Sequence, residues 1–82
     1  MAKTLRSARH SRLLKFLISA RKEAGLTQQE LAKRLSKPQS FVAKVEKGER
    51  RLDIIEFLDL AVALGVDPSR AIRRLEKAKE TA

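Results

Sequence analysis

The chain reads as all-α, one compact bundle of five short helices. Three observations carry that reading. Apolar residues recur at the three- and four-residue spacing of helices, and no segment reads as a strand. Capping signals open the helices: Thr27 with Glu30, Asp53 with Glu56, and Asp67 before Pro68. Glycine stands at three helix exits, Gly25, Gly48 and Gly65. With 82 residues the chain is one domain, its core small but sufficient for such a bundle.

Residues 1–10 form a basic arm, expected to be flexible, and residues 11–80 the folded domain. Helix 1 is expected over about 11–24, with Ser11 as its cap, Leu13, Leu14, Leu17 and Ala20 as its apolar face, and Gly25 as its terminator. The first 22 residues hold seven Lys/Arg and no acid, a pattern shared with transit peptides and membrane-surface helices. Against that, the apolar positions continue in phase toward Ala24 and Gly25, as the first helix of a bundle would. Helix 2 follows over 28–35, where Leu31, Ala32 and Leu35 make one face and the small Ala32 lets another helix cross closely. Pro38 suits the first position of helix 3, 38–47, because its missing N–H would lack a partner there anyway. Val42 and Val45 turn inward, and Gly48 closes the helix. A basic loop of residues 49–52 leads to helix 4, 54–64. Helix 5 runs from Pro68 to about 79. The expected core is Leu17, Ala20, Leu31, Leu35, Val42, Val45, Leu52, Ile55, Leu58, Ala61, Leu64 and Val66.

Helices 2 and 3, joined by a tight turn, make a helix-turn-helix at 28–47. The outward side of helix 3 carries Gln39, Ser40, Phe41, Ala43, Lys44 and Lys47, a polar and basic face of the kind that enters a DNA groove. The runs GLTQQELAKRL, PQSFVAKVEKGERRLD and LAVALGVDP resemble the Cro/C1-type (xenobiotic-response-element) family of helix-turn-helix regulators over about Leu17 to Pro68. The resemblance implies a lambda-repressor-like fold and DNA binding. Two positions depart from the family pattern: Ser36 where the turn commonly has glycine, and Lys37 where an apolar residue is usual. By the same resemblance Arg21 and Glu46 form a partly buried ion pair that braces the recognition helix, a structural role.

Several side chains are candidates for contact with DNA. Gln39 offers a donor and an acceptor together, matching the N7 and N6 edge of adenine; its plain alternative is local capping of helix 3. Ser40 reaches a base or a phosphate, or caps helix 3 locally. Lys44 points at guanine or at a phosphate. Phe41 either contacts a thymine methyl or tucks against helix 2 or the following loop. Gln28 stands at the first turn of helix 2, where backbone N–H groups favour an anion; the resemblance makes it a phosphate clamp, and its plain alternative is an exposed polar helix start. Lys37, Lys47, Arg50 and Arg51 border the motif and are candidates for the DNA backbone, which fixes orientation without reading sequence; at least two of the last three are expected there, and the plain alternative is a solvated loop.

Charge supports a polyanionic partner. The net charge is +9, and residues 1–51 hold fourteen Lys/Arg against four Asp/Glu, while 52–82 hold five against six. There is no cysteine and one histidine, His10 in the arm, so no metal ligand set is expected. No triad, paired-carboxylate site or glycine-rich phosphate loop is assembled; neither enzymatic activity nor a cofactor is expected. The longest apolar runs, 16–18 and 60–64, are too short to span a bilayer, and a cytoplasmic setting is expected. The function these features point to is a sequence-specific, double-stranded-DNA-binding transcriptional regulator, most simply a repressor acting as a homodimer on a palindromic operator. Ile72 and Leu75, three residues apart on helix 5, are expected either to mark a dimer surface over helices 4 and 5 or only to cap the monomer core. The rival is an antitoxin-like protein-interaction module in which DNA binding is secondary.

Overall fold

The computed structural model describes residues 7–78, and five α-helices account for most of them: α1 (Ala8–Glu23), α2 (Gln28–Leu35), α3 (Gln39–Lys47), α4 (Ile54–Leu64) and α5 (Pro68–Lys77). The limits of α2 and α4 are those expected. Their capping boxes are complete: Thr27 and Asp53 each accept from the backbone N–H three residues on, and Glu30 and Glu56 accept from the cap N–H in return. Asp67 caps α5 with Pro68 in its first turn.

Two helix starts differ from expectation. Ser7, not Ser11, caps α1 by accepting from the N–H of His10 at 3.0 Å, so the helix begins three residues earlier. Residues 8–10, expected in the arm, are therefore helical, and His10 is buried on the inner side of α1. The rest of the arm, residues 1–6, lies outside the described residues, as does residue 79, where helix 5 was expected to end. Pro38 is the cap residue of α3 with extended backbone (ψ 155°), rather than its first helical residue. No side-chain hydrogen bond caps that end.

Four helices end in the same way. The residue after the last turn adopts a left-handed conformation, and the N–H following it reaches back five residues, as in Leu26 to Arg21 O, Lys37 to Ala32 O, Glu49 to Lys44 O and Val66 to Ala61 O. Glycine fills the left-handed position three times; at the end of α2 it is Ser36, with φ 56° and ψ 41°. The serine that departs from the family pattern thus takes up the glycine's conformation, and the turn keeps its shape.

The core lies where α2 packs on α3 and α4 and α1 packs on α3 and α5. Its buried cluster is Leu14, Leu17, Ala20, Leu31, Ala32, Phe41, Val42, Val45, Leu60 and Leu64, with Leu31 the largest fully buried side chain; Leu35, Leu52 and Val66 pack against it partly buried. The expected core positions Ile55 and Leu58 are instead exposed. In α4 the buried set is Phe57, Leu60, Ala61 and Leu64, at the i, i+3, i+4, i+7 spacing of one helical face. The sequence IIEFLDLAVAL is apolar almost all round, so its periodicity does not say which side turns inward; packing against α2 does. Arg34 donates from α2 to the carbonyl of Ala63 at 3.0 Å, putting a cation at the C-terminus of a helix whose own last turn has none. Arg9 Nε donates to Ala78 O at 3.1 Å and ties the start of α1 to the end of α5.

Candidate nucleic-acid interface

α3 is held from behind by Phe41, Val42 and Val45, all buried, so that Gln39, Ser40, Lys44 and Lys47 face outward in successive turns. These four residues occupy the exposed side expected of them. Phe41 does not. It is 9% exposed and belongs to the core cluster, so of its two expected placements the tucked one is observed and the outward one is corrected. The inward stripe of a core helix spans 100° or more, wide enough to take Phe41 beside Val42 and Val45. Two cations cover its ring: the Arg50 guanidinium at 4.8 Å and the Lys37 ammonium at 5.2 Å from the centroid. Lys37 thus compensates for the missing apolar residue at its position by lying over an aromatic face.

A chain of hydrogen bonds fixes the N-terminal end of the recognition surface. Arg21 donates from Nε to Glu46 Oε2 at 2.8 Å and from its terminal nitrogens to Glu46 Oε1 at 3.1 Å and Leu26 O at 2.9 Å. Gln28 Nε2 donates to the same Glu46 Oε1 at 2.8 Å, and Gln39 Nε2 donates to Gln28 Oε1 at 3.3 Å. The Arg21 and Glu46 side chains are 12% and 7% exposed, so the expected pair is present and shielded from water. Glu46 orients the Gln28 amide, and Gln28 in turn orients Gln39. By valence, Gln39 keeps one N–H and its Oε1 for another partner, and Gln28 keeps one N–H. Sequence reasoning placed both glutamines at the surface but missed their contact, because residues eleven apart on different helices obey no local spacing rule.

The loop after α3 is braced as well. Arg50 donates to both carboxylate oxygens of Glu56, at 2.9 and 2.8 Å, and to the carbonyl of Arg51 at 2.8 Å. Glu56 Oε1 also accepts from the Asp53 N–H at 3.0 Å. The Arg50 guanidinium first, and the Asp53 N–H second, hold the Glu56 carboxyl at about 2, and Glu56 in turn raises Arg50. Arg50 thus meets Glu56 and the Phe41 ring while its side chain stays 41% exposed. Lys47 and Arg51 are exposed beside the motif, as is Lys37.

A helix-turn-helix family profile matches residues 17–70, well over half of the chain. The chain belongs to the Cro/C1-type helix-turn-helix family. An XRE-family-like protein from Pseudomonas syringae pv. tomato is similar in structure, with 54% identity, a TM-score of 0.80 and 84% of each chain covered. The restriction-modification controller protein C.AhdI from Aeromonas hydrophila shares 34% identity at a TM-score of 0.66, over 76% of this chain and 94% of that one. The HTH-type transcriptional regulator y4dJ of Sinorhizobium fredii is 41% identical over 46 residues; the match takes in 56% of this chain and 60% of that protein. Membership carries the coarse function with it: a DNA-binding helix-turn-helix domain of the transcriptional-regulator type.

Proposed function

We propose that the protein is a sequence-specific reader of double-stranded DNA, with α3 in the major groove and a homodimer on a palindromic operator. The observation that carries the proposal is the outward row of α3 backed by the Gln39–Gln28–Glu46–Arg21 chain. Gln39 is held with a donor and an acceptor still open, the pair that adenine N7 and N6 require. Ser40 is exposed beside it, and Lys44 stands one turn further along, for guanine or a phosphate. Gln28, Lys37, Lys47 and Arg51 hold the backbone on either side of the groove, while Arg50 serves chiefly to brace the loop.

The dimer surface extends beyond Ile72 and Leu75. Ile55, Leu58 and Val62 form an outward stripe along α4, 63%, 41% and 82% exposed, and Ile72 of α5 is 46% exposed. A second copy meeting this stripe across a two-fold axis would cover it and set half-sites about 34–36 Å apart. Repression then follows from occupying the operator, in the cytoplasm; among the described residues no helix is long and apolar enough to cross a membrane.

Selection of bound sites from random duplex DNA, followed by footprinting, tests the proposal. The expected result is an inverted repeat whose preference relaxes at one position in Gln39→Ala, by about 1–3 kcal/mol. Enrichment of no sequence, or random-duplex affinity that does not change with salt, would assign the chain to protein interaction instead.

A further inference from the structure

Between α1 and α5 runs a groove of about 400 Å³. Arg12, Lys15, Ser19 and Glu23 follow one another along α1 at three- and four-residue steps and form one wall. Arg70 and Arg74, one turn apart on α5, form the other. This is the side of α1 turned away from the DNA-facing helices, since Leu14 and Leu17 enter the core and Arg21 meets Glu46 on the opposite side. Arg12 and Lys15 make no hydrogen bond or ion pair among the described residues. The floor is apolar, made by Phe16, Ala20 and Val66, and the Arg74 guanidinium lies 5.7 Å from the Phe16 ring centroid.

We propose that this groove binds a short acidic peptide segment of a partner protein, with carboxylates on Arg12, Lys15 and Arg70 and one apolar side chain on the Phe16–Val66 floor. Arginine suits the task because its weakly hydrated, planar guanidinium takes a carboxylate through two parallel hydrogen bonds. A duplex fits less well. The groove also contains Glu23 and Asp67, which oppose a continuous row of phosphates, and a phosphate backbone has nothing to place on an apolar floor. A peptide can set its charges around the two acids and bury a side chain between them. Because the groove and the outward face of α3 lie on different sides of the bundle, a bound peptide leaves Gln39 and Lys44 accessible. The proposal does not rest on the operator reading, and either can fail without the other.

The test is a titration of the isotope-labelled full chain, followed by backbone amide NMR. The probe is a synthetic peptide of Glu and Asp around a single Leu, with its Gln/Asn counterpart as control. The acidic peptide is expected to move the amides of Arg12, Lys15, Ser19, Arg70 and Arg74 and leave those of Gln39–Lys47 in place, while the neutral peptide moves none. The Arg12→Glu, Arg70→Glu protein is expected to bind about tenfold more weakly, as loss and reversal of two exposed charge pairs implies. Arg12→Gln with Lys15→Gln gives the same direction without introducing acids at an exposed, unpaired site. Shifts on α3 instead, no shifts at millimolar peptide, or undiminished binding by the charge-altered proteins would overturn the proposal. So would a random duplex that moves the groove amides more than the acidic peptide does, which would give the groove to flanking DNA.

Discussion

Replacing Glu46 by leucine should destabilise the fold far more than the loss of a surface ion pair. Glu46 accepts three hydrogen bonds, two from Arg21 and one from Gln28, with its side chain 7% exposed. Its removal strands the Arg21 guanidinium, 12% exposed, with only the Leu26 carbonyl as a remaining partner. Breaking a buried pair from one side costs about 3–5 kcal/mol, and the surviving bond to Leu26 places this case at the lower end, about 3 kcal/mol. At about 4–8 °C per kcal/mol for a domain of this size, the midpoint of thermal unfolding should fall by at least about 12 °C. Circular dichroism during heating and urea titration gives both quantities. The double variant Arg21→Met, Glu46→Leu removes both charges together and should recover most of the loss. A single-variant loss under about 1 kcal/mol, the range of exposed pairs, would refute the buried-brace account. So would a double variant as unstable as the single one.

Other outcomes follow from the same geometry. Phe41→Ala should lower stability by about 3 kcal/mol in urea unfolding, near the low end for a core phenylalanine because two cations, and not only apolar side chains, lie over its ring; an unchanged midpoint with altered operator preference would return Phe41 to the bases. Since the Glu56 carboxyl is held at about 2 against an ordinary 4.5, its contribution is full above 4.5 and is lost as pH falls toward 2. The gap between wild type and Glu56→Gln in urea midpoint should therefore close over that interval, and a gap that persists at pH 2 would contradict the pairing. Ser36→Gly should raise stability by up to about 1 kcal/mol, since glycine takes φ 56° without a Cβ penalty but loses more backbone entropy; denaturant titration reads the sign. Val62→Asp should leave monomer unfolding unchanged and abolish the dimer in sedimentation equilibrium, and a dimer that persists would move the interface off α4.

The parts legible in the sequence are those governed by neighbours along the chain. Thr27 with Glu30 and Asp53 with Glu56 define helix starts within four residues, and α2 and α4 fall where those boxes put them. The exposed row of Gln39, Ser40, Lys44 and Lys47 follows from the spacing of Val42 and Val45. Ser7 does not stand out as a cap because the basic residues around it read as an arm. Long-range partners were beyond reach: nothing local tells that Arg50 closes on Glu56 while covering Phe41, or that Gln28 grips Gln39. The orientation of α4 failed for a different reason, since a helix that is apolar on every side leaves the choice of inner face to its neighbours.

Glu46 joins three helices through one carboxylate, and this divides the recognition surface into parts with unequal freedom to change. Gln39, Ser40 and Lys44 can be exchanged with little consequence for folding, so a new DNA preference is open to substitution there. Altering Glu46 disturbs the architecture and the aim of both glutamines at once. Descendants that diverge in target should differ at the first three positions and retain the fourth.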